Sequence, residues 1–153
     1  KKEFHYAFVA IGENKLRLKW FDCLVKEGFI IPTIIHPFSF ISKSSEIGMG
    51  TVIMGGAVIN AGTHIGNSCI INTSSSVDHD CILEDGVHIS PGVNIGGTVR
   101  IGKYSWLCIK SSVTNNVSIG KNVVVGAGAT VLDSICDNVL VVGTPAKIKK
   151  GLE

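Results

Sequence analysis

The chain has 153 residues, of which 45% are hydrophobic and 17% are charged, and its formal net charge is +2. This length allows one well-buried domain with a small appendage, and so small a net charge does not favour a nucleic-acid groove. The five cysteines form no CxxC pair, and neither a secretory segment nor an apolar run of about 18 residues is visible. These features predict a reduced, cytoplasmic protein without disulfides, structural zinc or membrane insertion.

Residues 1–37 follow a pattern that differs from the rest of the chain. FHYAFVAIG reads as a strand, ENKLRLKWFDCLVKEG as an amphipathic helix that ends at Gly28, and FIIPTII as a second strand. The predicted apolar face of the helix holds Leu16, Trp20, Cys23 and Leu24. A parallel sheet of two strands cannot cover itself. We therefore interpret this βαβ unit as part of a Rossmann-like domain, truncated before Lys1.

Residues 38–153 are predicted to form a second domain, because a period of six begins at Ile41. Sixteen consecutive sixth residues are Ile, Val or Leu, namely Ile41, Ile47, Ile53, Ile59, Ile65, Ile71, Val77, Leu83, Ile89, Ile95, Ile101, Leu107, Val113, Ile119, Val125 and Val131. Small or β-branched residues recur four places later. This repeat predicts a mainly β protein, a parallel β-helix with three hexads per coil. Sixteen hexads give about five coils.

The hexads follow the pattern [LIV]-[GAED]-x-x-[STAV]-x, which resembles the left-handed β-helix of hexapeptide-repeat acyltransferases. The motifs AIGEN, IHP, NTSSSVDHD and the closing GTPAK are similar to those of one subgroup. This subgroup comprises bacterial sugar acetyltransferases that include UDP-4-amino-sugar N-acetyltransferases and sialic acid O-acetyltransferases. The resemblance covers essentially the whole chain. It implies left-handed winding, acetyl-CoA as the donor, and a homotrimer whose sites lie between subunits.

The stretch VDHDCILEDGVHIS holds the candidate catalytic residues. The resemblance assigns His79 as the general base and Asp80 as the acid that tunes it, although some members have glutamate in the second place. Imidazole chemistry supports these roles, because a group with a reference pKa of about 6.5 can accept an amine proton near neutral pH. One coil further on, Gly97 is predicted to stack on His79 and to offer its N–H to the thioester oxygen. A plain corner glycine is the alternative.

A second set of residues is predicted to bind the coenzyme. His88 lies half a coil from His79, so the two side chains face different directions within one chain. The resemblance places His88 against acetyl-CoA across a subunit interface, and a solvated histidine is the alternative. Pro91, Ile109 and Ala127, spaced 18 apart, form an apolar strip that fits a pantetheine groove or a subunit contact. The resemblance places Ile109 and Ala127 along the coenzyme.

The acceptor is predicted to lie between the N-terminal unit and a neighbouring coil. The resemblance places Asn72 near the acceptor amine and Gly12, within AIGEN, on the side of the nucleotide-linked sugar. No hexad carries an insertion, so no long loop walls the acceptor pocket as in several hydroxyl-acetylating relatives. We therefore favour N-acetylation of a UDP-4-amino-4-deoxy sugar, for surface glycan or glycoprotein synthesis, over O-acetylation of sialic acid. Direct transfer is expected, because Cys81 faces inward and cannot form an acyl-enzyme.

Two other functions compete with acetyl transfer. The similar fold of gamma-class carbonic anhydrases binds zinc through three histidines, two of them in H-x4-H. His64, His79 and His88 are spaced 15 and 9 apart, so no metal is expected. A non-catalytic scaffold is the third reading, although an inert rod needs no His-Asp corner. Stabilisation by CoA in a thermal-shift measurement separates a transferase from both alternatives.

Overall fold

The hexads fold into a three-sided parallel β-solenoid in the computed structural model, which describes residues 3–152. Each hexad contributes one strand of two residues and one corner. The strands are β1 (Ile34–Ile35), β2 (Phe40–Ile41), β3 (Glu46–Ile47), β4 (Val52–Ile53), β5 (Val58–Ile59), β6 (His64–Ile65), β7 (Ile70–Ile71), β8 (Ser76–Val77), β9 (Ile82–Leu83), β10 (His88–Ile89), β11 (Asn94–Ile95), β12 (Arg100–Ile101), β13 (Trp106–Leu107), β14 (Ser112–Val113), β15 (Ser118–Ile119), β16 (Val124–Val125) and β17 (Thr130–Val131).

Three sheets form the faces of the solenoid. Face 1 contains β1, β4, β7, β10, β13 and β16, face 2 contains β2, β5, β8, β11, β14 and β17, and face 3 contains β3, β6, β9, β12 and β15. The predicted parallel β-helix is confirmed, and its form is consistent with left-handed winding. The solenoid has about six turns rather than about five, because β1 adds a hexad before Ile41 and the chain continues on face 1 after β17.

The interior of the prism is filled by the periodic apolar residues. The large residues of the repeat are almost completely buried from Ile53 to Val131, and the small residues four places later are buried beside them. Where the small residue is a threonine or serine, its hydroxyl donates to a backbone carbonyl. The acceptor lies on the next coil for most of them, as from Thr63 to Asp78 at 2.7 Å, and three residues earlier for Ser75 and Ser111. These bonds satisfy the buried hydroxyl groups. The bonds between coils also fix those corners against the neighbouring coil.

The N-terminal unit packs on the solenoid with one helix, α1 (Asn14–Lys26). Among residues 3–33, strand pairing consists of one parallel bridge between Tyr6 and Ile30, supported by backbone hydrogen bonds. The segment FIIPTII does not form one strand, because Ile34–Ile35 pairs with β4 on face 1. The solenoid therefore begins at residue 34, ahead of the predicted boundary at residue 38.

The buried face of α1 differs from the predicted one. Its buried residues are Asn14, Arg17, Leu18 and Phe21. Leu24 packs partly in the same interface, whereas Leu16, Trp20 and Cys23 are exposed. The prediction was wrong because it selected a purely apolar stripe, whereas the buried face combines apolar and polar residues. Leu18 and Phe21 pack on apolar neighbours. Asn14 and Arg17 donate hydrogen bonds to backbone carbonyls at a corner of the solenoid.

The C-terminal segment closes face 1 as an antiparallel pair. β18 (Val139–Val142) continues face 1 beside β16, and β19 (Lys147–Gly151) returns along it. The GTPAK motif forms the turn between them, with Gly143 at a φ of 95°, a conformation that favours glycine. The amide of Ala146 donates to the Thr130 carbonyl at 2.8 Å. This bond holds the turn against the last hexad.

Residues 3–152 contain no group of three or more His, Cys, Asp or Glu side chains that could hold a metal ion. In the same range, no helix has the length and apolar character needed to cross a bilayer. All five cysteines are free thiols. Cys81 faces inward as predicted, and burial raises the pKa of its thiol. The neighbouring inward thiol, Cys69, has a pKa of about 12 for the same reason.

Candidate functional site

The first candidate site is the corner between face 2 and face 3 formed by residues 78–80 and 96–98, which we call the His79 edge. The chain turns there between β8 and β9, so His79 points away from the prism and its side chain is 56% exposed. Its Nδ1 lies 2.9 Å from Oδ2 of Asp80. The shorter aspartate side chain therefore reaches the imidazole directly.

Two carboxylates control the charge of His79. The hydrogen bond with Asp80 has the largest effect and raises the pKa of His79, and the charge of Asp78 raises it further. Asp78 accepts hydrogen bonds from the Asn60 side-chain amide at 2.8 Å and from the backbone N–H of His79 at 2.9 Å. These bonds lower the pKa of Asp78 and keep it ionised. With Nδ1–H donating to Asp80, Nε2 of His79 is left as a proton acceptor.

Gly97 lies directly against the His79 imidazole. A Cβ atom at position 97 would be 2.5 Å from Nε2 and 2.6 Å from Cε1 of His79, closer than van der Waals contact allows. The Thr98 amide donates to the His79 carbonyl at 2.8 Å, which locks the two coils together. Within residues 3–152 the N–H of Gly97 has no hydrogen-bond acceptor. The structure thus brings His79, Asp80 and Gly97 together, and the Gly97 amide makes no hydrogen bond within the described residues.

The second candidate site is a cavity of about 480 Å³ between face 1 and the N-terminal unit, which we call the His88 groove. Its lining includes Gly12, Asn14, His88, Tyr104, Trp106 and Val124. The structure therefore places Gly12 beside His88, a pairing that the sequence did not predict. Both residues are separate from the His79 edge, because face 1 does not border that corner.

His88 is held flat against an aromatic ring. Its ring centroid lies 5.8 Å from that of Trp106 at an interplanar angle of 14°, and the Trp106 indole N–H donates to Ser90 Oγ at 2.8 Å. Burial, helped by the charge of Arg17, lowers the pKa of His88 to about 4. Its Nε2 atom is buried without a hydrogen-bond partner in residues 3–152. His88 is therefore a neutral group at physiological pH.

The remaining predicted residues lie on the corner between face 1 and face 2. Ile109 and Ala127 are exposed and stack on successive coils, with Pro91 one coil below, half-buried. Asn72 belongs to the same corner, where its Oδ1 accepts from the Thr73 amide at 2.8 Å. These residues and the His79 edge stand at opposite margins of face 2. A single chain does not bring them together.

Sequence reasoning missed two residues that shape these sites. Asp78 was not singled out, although it directly precedes His79 and the D-H-D triplet was the available signal. Trp106 was also missed, although it lies one coil of 18 residues beyond His88 and pairs with it in register. In contrast, His64 forms its own pair with Glu46 on face 3 at 3.1 Å. His64 therefore lies on face 3, His79 at a corner and His88 on face 1. The three histidines of the zinc alternative do not come together within one chain.

Solved structures resemble this chain over most of its length. The acetyltransferase domain of PglB from Neisseria gonorrhoeae FA1090 is 38% identical, with a TM-score of 0.93, and the match covers 94% of this chain and 70% of that one. PerB from Caulobacter crescentus, in complex with CoA and GDP-perosamine, is 41% identical with a TM-score of 0.93, and the match covers 94% and 69% of the two chains. This chain belongs to the hexapeptide-repeat sugar acetyltransferases.

Other comparisons agree with membership of this acetyltransferase family. Residues 98–133 match the family model described as bacterial transferase hexapeptide (six repeats). A putative serine acetyltransferase of Schizosaccharomyces pombe is 37% identical over 73 residues, which cover 42% of this chain and 27% of that protein. The chain thus spans about a quarter of that curated relative. The Neisseria PglB domain has also been solved in complex with acetyl coenzyme A.

Proposed function

We propose that this chain transfers the acetyl group of acetyl-CoA to the amino group of a nucleotide-linked 4-amino-4-deoxy sugar. The observation that carries the proposal is the His79 edge, where an imidazole paired with Asp80 lies against Gly97, whose N–H makes no hydrogen bond within residues 3–152. The complex of the Caulobacter relative with CoA and GDP-perosamine supports the substrate class. We propose UDP as the nucleotide and surface-glycan or glycoprotein synthesis as the pathway, as the sequence predicts. The free cysteines favour a cytoplasmic location.

The proposed chemistry uses three groups of the His79 edge. The neutral sugar amine attacks the thioester carbonyl, and Nε2 of His79 accepts the amine proton as the C–N bond forms. Asp80 holds the imidazole in the required tautomer and stabilises the imidazolium that results. The Gly97 N–H faces the carbonyl oxygen as negative charge develops on it, a contribution of roughly 3 kcal/mol for such donors. The C–S bond then breaks, and His79 returns the proton to the departing CoA thiolate.

We propose that the complete site lies between copies in a homotrimer. The outward side chains of face 2 are mostly small and polar, namely Ser76, Asn94, Ser112 and Thr130. If face 2 turns toward a threefold axis, the His79 edge of one copy meets the Ile109 and Ala127 corner of the next. The apolar corner then offers a wall for the pantetheine arm. Asn72 lies on that same corner, and the His88 groove opens on the adjoining face 1.

The test is a panel of UDP- and GDP-linked amino sugars incubated with acetyl-CoA and the full-length protein. The expected result is release of free CoA thiol and a product heavier by one acetyl group on nitrogen, with binding of CoA seen by thermal shift. Acetylation of a hydroxyl group, such as that of sialic acid, would reassign the acceptor. CoA binding with no transfer to any sugar of the panel would refute the proposal, and a chain that does not bind CoA would favour a scaffold.

A further inference from the structure

Arg17 is buried in the interface between α1 and the solenoid, outside both candidate sites. It has the largest fully buried side chain among the described residues and is only 2% exposed. Within residues 3–152 no carboxylate lies within ion-pair distance of it. A buried cation without a counter-ion is costly unless all of its donors are satisfied. Burial of Arg17 therefore requires that its N–H groups be hydrogen-bonded within the protein.

All five N–H groups of the guanidinium are used in hydrogen bonds. Nε donates to the Ser68 carbonyl at 2.8 Å and Nη2 to the Gly86 carbonyl at 2.9 Å. These two carbonyls belong to successive coils at the corner between face 3 and face 1. Nη1 donates to the carbonyls of Ile11 at 3.2 Å and Gly12 at 3.0 Å. Arg17 therefore joins two coils of the solenoid to the segment that precedes α1.

Asn14 extends this connection by one coil. Its Oδ1 accepts the remaining Nη2–H of Arg17 at 2.9 Å, and its Nδ2 donates to the Tyr104 carbonyl at 2.9 Å. Ser68, Gly86 and Tyr104 are spaced by 18 residues and form one vertical row of carbonyls. The helix is thus fixed to three successive coils by two polar side chains. Such a bonded row specifies one position of α1, whereas apolar packing alone tolerates small shifts.

The segment held by Arg17 forms the rim of the His88 groove. Gly12 is exposed and lines that groove with His88 and Trp106, and its carbonyl is a direct acceptor of Arg17. A Cβ atom at position 12 would meet no atom within 4 Å, so the rim is open at this position. The position of this rim depends on Arg17, because no other side chain in residues 3–152 binds the Ile11 and Gly12 carbonyls.

We propose that Arg17 is a positioning residue that sets the affinity for the nucleotide-linked sugar by holding the Ile11–Gly12 rim over the His88 groove. Because Gly12 lines this groove, we assign the groove to the sugar nucleotide, in place of the acetyl-CoA contact that the resemblance implies for His88. This inference rests on the proposed function for the identity of the ligand. Arg17 touches neither His79 nor Gly97, so it acts on sugar binding and leaves the chemical step unchanged. The planar fork of the guanidinium is required, because a lysine ammonium keeps the charge but cannot span both coils and the rim.

The test uses Arg17→Lys and Arg17→Met in the full-length protein, with Leu18→Ala as the matched control. Leu18 is buried in the same interface and makes no bond to the rim. Both Arg17 variants should raise KM for the sugar nucleotide, and its Kd by calorimetry, about tenfold or more, as for loss of buried charge-assisted bonds. Their kcat and their KM for acetyl-CoA should stay within about twofold of wild type. Leu18→Ala should lower Tm without raising KM for the sugar.

The Lys variant separates geometry from charge. If Arg17→Lys binds the sugar nucleotide as wild type does, or if Leu18→Ala raises KM as much as the Arg17 variants, the inference is overturned. A loss confined to kcat overturns it as well. If Arg17→Met does not fold, the Lys variant decides alone, with hydrogen exchange of residues 8–13 reporting whether the rim has loosened. A wild-type chain that binds sugar nucleotides but does not acetylate them refutes the proposed function and leaves the binding test of Arg17 intact.

Discussion

The His79 edge and the His88 groove place two imidazoles, nine residues apart in the chain, in opposite environments. His79 stands on an exposed corner with a carboxylate on its Nδ1, and its pKa is raised. His88 lies on a covered face against Trp106, and its pKa falls to about 4. Corners turn side chains out to solvent and ligands, whereas flat faces can be covered. The location of a histidine on the solenoid, at an exposed corner or on a covered face, therefore decides whether it can exchange protons near neutral pH.

The largest expected effect is on the exposed imidazole. His79→Ala should lower kcat by about 100-fold or more, because the amine proton loses its acceptor, while CoA affinity changes little. His64→Ala is the matched control, since His64 is also an exposed histidine paired with a carboxylate, Glu46, but lies away from the site. Steady-state kinetics with the sugar acceptor measure both. Equal activity of the two variants would remove His79 from the mechanism.

Gly97→Ala tests the contact beneath that imidazole. The added methyl group would lie 2.5 Å from Nε2 of His79, so the ring must move, and turnover should fall about 10- to 100-fold. The backbone of Gly97 does not adopt a positive φ, so alanine does not strain the fold there. The double variant with His79→Ala should be no worse than His79→Ala alone. Additive losses would show that Gly97 acts independently of His79.

Asp80→Asn tests the effect of the Asp80 carboxylate on His79 through the pH dependence of the reaction. The hydrogen bond with Asp80 raises the pKa of His79, and a base works only above its own pKa. Removing the carboxylate charge should therefore move the rising limb of the kcat/KM profile to lower pH, with a rate loss of about tenfold. The profile of Asp78→Asn should move in the same direction by less. If the rising limb of the profile does not move in Asp80→Asn, the pKa that it reports does not depend on the contact between His79 and Asp80.

The weakest predicted effect concerns the partly buried imidazole of His88. His88 binds a proton in the unfolded chain below about pH 6.5 but in the folded chain only below about pH 4. The folded state should therefore lose stability as the pH falls through this range. His88→Gln should lose less stability on acidification, as measured by thermal melts at each pH. An NMR titration showing His88 protonating near pH 6.5 would contradict the buried stacking on Trp106.

The solenoid could be predicted because each structural unit of one strand and one corner has the same six-residue sequence pattern. Each large residue of the six-residue repeat from Ile53 to Val131 faces inward, and the register of 18 residues places Gly97 on His79. The first turn was missed because Ile34–Ile35 lies in a stretch that also reads as part of a βαβ unit. A six-residue period can be recognised in the sequence only where several consecutive hexads share it.

The N-terminal unit was harder to predict, because its helix binds backbone carbonyl groups in addition to packing on apolar side chains. Arg17 and Asn14 look like surface residues in a helical pattern, yet they are buried and bonded to three coils. Trp20 looks like a core residue and is half exposed. The groove between Gly12 and His88 was equally hidden, because it depends on where this unit docks.

A crystal structure of the full-length protein with CoA and a nucleotide-linked amino sugar would test the proposed role of the His79 edge. We expect the sugar nitrogen to lie within about 3.2 Å of Nε2 of His79. We also expect the CoA sulfur near the amide of Gly97, in a cleft completed by the Ile109 and Ala127 corner of a neighbouring copy. A sugar nitrogen placed against another side chain, or ligands bound wholly within one chain and away from His79, would contradict that role.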